Sequence, residues 1–299
     1  MAHAAIRLAG LTKYYGPVVG VEGLTLDVEP GEVFGFLGAN GAGKTTTIRI
    51  LLDLLRPSSG SAAILGFDTR RESLEARRRI GYTPGEMPVY PEVTGARYLA
   101  FLSALAPAKV SATRIEALLR RFDVSDLDLK RRMRDYSHGM KRKLGIIQAL
   151  MTDAPVIILD EPTSGLDPLM IEAFAEEIDA LARGGRTTIF LSTHILSEVE
   201  RMCRRFALVR NGRLAATRTL QELRTAAPRR VVVTFSQPVC NAAVVGGAIV
   251  SREPQRWVLD VEGPIGALVT SLSGLPVADV QMESIAVEES VLRLMESQS

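Results

Sequence analysis

Gly38-Ala39-Asn40-Gly41-Ala42-Gly43-Lys44-Thr45 is the run from which the rest of the chain can be placed. Its glycine, four residues, then Gly-Lys-Thr is the full phosphate-loop spacing. Glycines let successive backbone N–H groups turn inward around phosphate oxygens, where side chains would obstruct. The apolar, aromatic Val33 to Leu37 before it reads as a buried strand. Residues 48–55, Ile-Arg-Ile-Leu-Leu-Asp-Leu-Leu, follow at helical spacing until Pro57 stops them. A helix N-terminus therefore adds its positive end to the loop. The expected phosphate contacts are Gly38, Asn40, Gly41, Ala42, Gly43, Lys44, Thr45 and Thr46. Lys44 would reach the β and γ phosphates, and the Thr45 hydroxyl would ligate Mg²⁺. A bland glycine turn is the alternative, and the strand–loop–helix context argues against it.

Such a loop implies nucleotide binding, not hydrolysis. Val156-Ile157-Ile158-Leu159-Asp160-Glu161 supplies what is missing, at the end of a second buried-strand pattern. Asp160 would hold Mg²⁺, directly or through water, and Glu161 would polarise the attacking water.

Outward from these two points, short strands alternate with helical patterns. Ile6 to Leu11 and Leu24 to Val28 read as strands, with Pro30-Gly31 as a turn. Thr188 to Leu191 and Phe206 to Val209 are further strands, the last turning at Asn211-Gly212. Ile171 to Leu181 and Leu196 to Cys203 have helical spacing. The expected fold is α/β: a phosphate-loop cassette with a mixed, mainly parallel sheet. Between about Glu86 and Arg134 helices replace buried strands, as in Ala96 to Leu105 and Ile115 to Phe122. The helical insertion as a whole is placed at about 86–150, inside a domain spanning 1–228. Residues 229–299 have strand-like runs at 231–235, 257–261 and 277–281, and read as a small α+β domain.

Composition bounds the partners. No stretch approaches the roughly 20 apolar residues needed to cross a bilayer, and residues 1–16 lack a signal-peptide core. If the chain serves transport, another polypeptide must supply the membrane path. The formal net charge of +2 gives no cue for nucleic acid, and none is expected as a partner. Cys203 and Cys240 lack metal-site spacing and read as reduced thiols, with a disulfide as the lesser alternative. Two basic clusters, Arg70-Arg71 with Arg77 to Arg79, and Lys130 to Arg134 with Lys141 to Lys143, read first as solvated helix faces. The competing reading is a surface near anionic headgroups or a partner's helices.

At this point the order of motifs resembles the ATP-binding cassette (ABC) family across most of residues 6 to 215. Asp160-Glu161-Pro162-Thr163-Ser164-Gly165-Leu166-Asp167-Pro168 is similar to the family's Walker B and D-loop, with Asp167 the D-loop acid or a helix N-cap, or both. Thr193-His194 resembles its switch histidine. Tyr15 resembles the aromatic that stacks on adenine, with Tyr14 as the substitute. Tyr136-Ser137-His138-Gly139-Met140 stands in the place of the signature LSGGQ, His138 replacing the first glycine. Gly85 stands where the Q-loop glutamine is expected, with Glu86 beside it.

The resemblance implies a mechanism. Two cassettes pack head to tail as a homodimer and sandwich two ATP molecules. Each nucleotide touches the P-loop of one copy and Ser137 to Met140 of the other. Glu161, His194 and Lys44 are the catalytic set, and ATP with Mg²⁺ the ligands. The wording Tyr-Ser-x-Gly-Met-Lys, followed by Gly-Ile-Ile-Gln-Ala-Leu, resembles the branch that includes antibiotic-resistance exporters. Ile285 to Leu292 resembles the end of that branch's accessory domain. A separate integral membrane permease is then the expected partner, and the chain would lie in the cytoplasm, peripheral to the inner face of the membrane. Two alternatives stand beside this: a soluble cassette ATPase on ribosomes or DNA, and a regulatory module that holds ATP without turnover. One P-loop and no heptad run weaken the first, and Glu161 argues against the second.

Overall fold

In the computed structural model the residues described are 4–87, 90–222, 229–239, 242–261 and 265–284. Alternating burial makes Ile6–Tyr15 (β1) and Val18–Val28 (β2) an antiparallel pair with one wet face. Every residue of Val33–Leu37 (β3) is buried, as the sequence predicts. The helix after the loop, Lys44–Leu51 (α1), stops well short of Pro57. Asp53 takes a left-handed φ of 55°, which breaks the turn and leaves Leu54 in solvent.

Ser59–Ile64 (β4) then pairs with β1 and carries Phe67–Asp68 (β5) beside it, giving a four-stranded sheet in the order β2-β1-β4-β5. A short helix, Ser73–Arg77 (α2), leads to Ile80–Thr83 (β6). The helical region holds Gly95–Leu105 (α3), Ala112–Arg121 (α4), Asp126–Lys130 (α5) and His138–Leu150 (α6). Ser and Thr side chains cap all four, and α5 has a full capping box.

Val156–Asp160 (β7), Pro168–Arg183 (α7), Thr188–Thr193 (β8), Leu196–Met202 (α8), Arg205–Arg210 (β9) and Arg213–Thr219 (β10) complete the main sheet. Its order is β10-β9-β3-β8-β7-β6, with β9-β3-β8-β7-β6 parallel. Parallel strands with buried faces explain the unbroken apolar runs in the sequence. The C-terminal ends of β3, β7 and β8 lie side by side, so the loops leaving them converge.

The chain divides into two compact units, Met1–Thr217 and Arg218–Ser299. The boundary expected at 228/229 adjoins 223–228, outside the described residues, as do Cys240 and the tail 285–299. The second unit has its own sheet, formed by Arg229–Phe235 (β11), Ala248–Glu253 (β12), Arg256–Val261 (β13) and Val277–Ser284 (β14) in the order β12-β13-β11-β14. With Gly266–Leu272 (α9) it encloses Val231, Val233, Trp257 and Leu259.

Candidate active site

The loop leaving β3 runs where only glycine fits. Gly41 and Gly43 have φ of 79° and 106°. A β-carbon on Gly43 would lie 2.6 Å from the Gly20 carbonyl oxygen, and one on Gly38 2.5 Å from that of Val209. The Gly38 amide is anchored on Thr193 O at 3.2 Å, which ties the loop to the end of β8. Helix α1 begins at Lys44, whose side chain is buried and folds back over the loop. Its Nζ donates to Gly38 O at 2.7 Å and Ala39 O at 3.2 Å, and lies 3.3 Å from Glu161 Oε1.

Asp160 ends β7 at 1% exposure. The Thr45 hydroxyl donates to its Oδ2 at 3.1 Å and the Ser192 hydroxyl to its Oδ1 at 2.9 Å. Burial pushes the Asp160 carboxyl above the usual carboxylate range. The two hydroxyls and Lys44 oppose that rise, and neighbouring Glu161 adds to it. Glu161 itself takes φ 49°, a left-handed turn rarely held by a residue with a β-carbon. Its amide is fixed on Ser192 O at 3.0 Å. That turn swings the carboxylate so that Oε1 lies 3.3 Å from both Lys44 Nζ and His194 Nδ1.

Five residues named from the sequence, Lys44, Thr45, Asp160, Glu161 and His194, are thus gathered from three strand ends. Thr45 and Asp160 offer the hard oxygen donors suited to Mg²⁺, an ion that binds through one or two protein groups and keeps other positions for water and phosphate oxygens. Glu161 adds a carboxylate base beside them, and Lys44 a cation. Tyr15 stands at the margin, 44% exposed, with its hydroxyl 3.4 Å from Thr46 Oγ1. Tyr14 is engaged elsewhere, donating to Glu22 at 3.0 Å.

The signature stretch forms a second cluster. Ser137 caps α6 by accepting from Met140 N at 3.2 Å. His138 packs on Gly165, where a β-carbon would come within 2.4 Å of its Cδ2. A β-carbon on Gly139 would lie 2.9 Å from Gly165 O. Asp167 caps α7, accepting from Met170 N at 3.0 Å ahead of Pro168. At the Q-loop position, a β-carbon on Gly85 would lie 3.3 Å from Asp160 Oδ2. Glu86 makes no hydrogen bond or ion pair with any described residue.

Three neighbours of these residues belong to none of the motifs. Ser192 grips Asp160, and the run Ser192-Thr193-His194 at a strand end was the available signal. Glu198, buried in α8, accepts from the hydroxyls of Thr163 and Thr193, joining the turns after Glu161 and before His194. Arg142 requires a correction. The run Lys141 to Lys143 predicts a solvated face, yet Arg142 is 2% exposed. It lies on the inward face of α6, where backbone carbonyls rather than water solvate the guanidinium.

Known proteins resemble this chain in sequence and fold. Residues 21–164 match the ABC transporter family. A daunorubicin resistance ATP-binding protein of Streptomyces coeruleorubidus is 35% identical over 300 residues, covering 98% of this chain and 94% of that protein. A bacitracin transport ATP-binding protein of Bacillus licheniformis is 38% identical over 209 residues, covering 70% of this chain and 68% of its own length. A solved ATP-binding subunit of an ABC transporter superposes with a TM-score of 0.67 at 33% identity, covering 74% of this chain and 92% of that one. With the phosphate loop, its facing carboxylates and full-length similarity all in place, the chain belongs to the ATP-binding, ATP-hydrolysing subunits of the ABC transporter family.

Proposed function

We propose that this ATPase powers export through a separate membrane permease, working as a head-to-tail pair of copies with ATP held between them. The observation that carries the reading is the meeting of Lys44, Thr45, Asp160, Glu161 and His194 at one point. Lys44 and the glycine loop grip the β and γ phosphates. Thr45 and Asp160 would hold Mg²⁺, which would neutralise charge on the phosphate oxygens. Glu161 takes a proton from the attacking water, and His194 keeps its carboxylate aimed. Tyr15 stacks on the adenine.

His138 and Gly139 pack on Gly165 of their own chain, and Ser137 and His138 are open to solvent, which suits contact with a nucleotide on a second copy. Among the described residues no helix is long and apolar enough to cross a membrane, so the membrane path falls to a partner. The resistance and transport roles of the two relatives support export.

The test is turnover with Mg²⁺ and the co-purified membrane partner. Glu161→Gln should lower kcat by about 10²–10⁴-fold, the usual contribution of a general base, and should accumulate an ATP-bound dimer on gel filtration. Lys44→Ala should lose ATP binding. A wild-type rate no higher than that of Glu161→Gln would refute the reading.

A further inference from the structure

Helix α6 is stitched to the chain leaving β6 by a ladder on one face. Gln148 Nε2 donates to Tyr82 O at 2.9 Å, and Thr83 Oγ1 donates to Gly145 O at 2.8 Å. Arg142 Nη1 then donates to Pro84 O at 2.8 Å and Nη2 to Gly85 O at 2.5 Å. Positions 142, 145 and 148 are three apart, so they share a helix face and meet residues 85 to 82 in antiparallel order. Two glycines make the approach close. A β-carbon on Gly81 would lie 2.2 Å from Ala149 O, and one on Gly145 2.5 Å from Met87 Sδ.

The last rung differs in kind. Arg142 also donates from Nε to Ser164 O at 3.3 Å, on the turn that follows Glu161. One rigid guanidinium therefore holds three segments: the start of α6, the backbone at 84–85 and the turn at 164. The segment at 85 abuts Asp160, since a β-carbon there would sit 3.3 Å from Oδ2. Arg142 forms no ion pair with a described carboxylate. Burial depresses its pKa, and the more distant charges of Asp160 and Glu161 act against that. A buried cation solvated only by carbonyls is costly, and an apolar side chain of similar volume would fill the space at less expense. A planar fork with five donors, however, suits the binding of three carbonyls in fixed directions.

We propose that Arg142 is a positioning residue of the hydrolytic site, coupling displacement of the signature helix to the backbone around Asp160 and Glu161. Position 85 has no side chain to make that link, so it runs through carbonyl oxygens and one guanidinium. The inference rests on the roles proposed above for Asp160 and Glu161. A shift of α6 then carries 84–85 and 164 with it, and misplacement of about 1 Å near a reacting centre costs up to about 10²-fold in rate.

The experiment uses the full chain with its membrane partner. It compares wild type with Arg142→Met and Arg142→Lys, measuring kcat, KM for MgATP, ATP affinity by equilibrium binding and thermal melting. Glu161→Gln is run as the reference. For Arg142→Met we expect kcat to fall by at least about tenfold while ATP affinity stays within about threefold, the signature of lost transition-state rather than ground-state interaction. Arg142→Lys, with charge but no fork, should fall between. The proposal is overturned if Arg142→Met keeps kcat within about twofold of wild type, or if kcat, ATP affinity and melting temperature decline together. Should Arg142→Met fail to fold, Arg142→Lys decides: lowered kcat at unchanged affinity supports the coupling, and unchanged kcat overturns it. A wild-type rate equal to that of Glu161→Gln would remove the site reading and the coupling with it.

Discussion

Asp160 is held by hydroxyls on both carboxylate oxygens and is almost without solvent, so its charge is expensive in this chain. Its raised pKa means that the folded form binds the proton more tightly than the unfolded form does. Stability from this group is therefore complete below the ordinary aspartate range and is lost as pH rises through the raised value. Asp160→Asn removes that loss. Thermal melts without nucleotide should show the variant more stable than wild type near neutral pH, with the gap closing toward about pH 4, where an ordinary aspartate takes up its proton. Turnover should be lost at every pH. A melting temperature for Asp160→Asn below wild type at neutral pH would contradict this account. Residues of this kind were legible because their chemistry sits in short, ordered motifs. Ser192, Glu198 and Arg142 were not, because a one-dimensional pattern does not show which way a polar side chain turns. Arg142 is the sharpest case: flanked by Lys141 and Lys143, it has the sequence context of a wet surface and the surroundings of a core.

At the scale of elements, buried strands were read best. Val33–Leu37 and Val156–Asp160 consist of residues that favour strands and have no solvent face to confuse the period. Ser59–Ile64 escaped notice because serine, glycine and alanine carry no strand signature; its place comes from pairing with β1. Helix α1 is shorter than its sequence predicts: Leu51, Leu52, Leu54 and Leu55 suit a helix, whereas the left-handed turn at Asp53 leaves little trace in hydropathy. Asp167 shows one residue serving an element and a site together. Its carboxylate caps α7 immediately before Pro168. Asp167→Ala should lower unfolding free energy by about 1 kcal/mol, the usual worth of such a cap, and Asp167→Asn should retain most of it. Denaturant titration of both variants checks this. If Asp167→Asn keeps stability yet slows turnover, the carboxylate also serves the reaction.

For the whole molecule, the two compact units each have a hydrophobic core made from their own residues. All the residues gathered around Lys44 belong to the first. A chain ending after residue 222 is therefore expected to melt cooperatively and to bind ATP within about threefold of the full chain, which titration of the purified fragment would measure. Failure of that fragment to fold would show that the second unit is needed for the first.

The single tryptophan of this sequence, Trp257, lies fully buried in the second core, edge-on to Phe235 at 4.8 Å with the Arg252 guanidinium 4.1 Å from its ring. Indole emission therefore reports on the core that Trp257 shares with Phe235 and its neighbours. Far-ultraviolet dichroism sees both units. Saturating ATP with Mg²⁺ should move the dichroism midpoint to higher denaturant by mass action, and the emission midpoint read beside it shows whether the second core unfolds with the first. This chain thus comes with a built-in optical label for its second core.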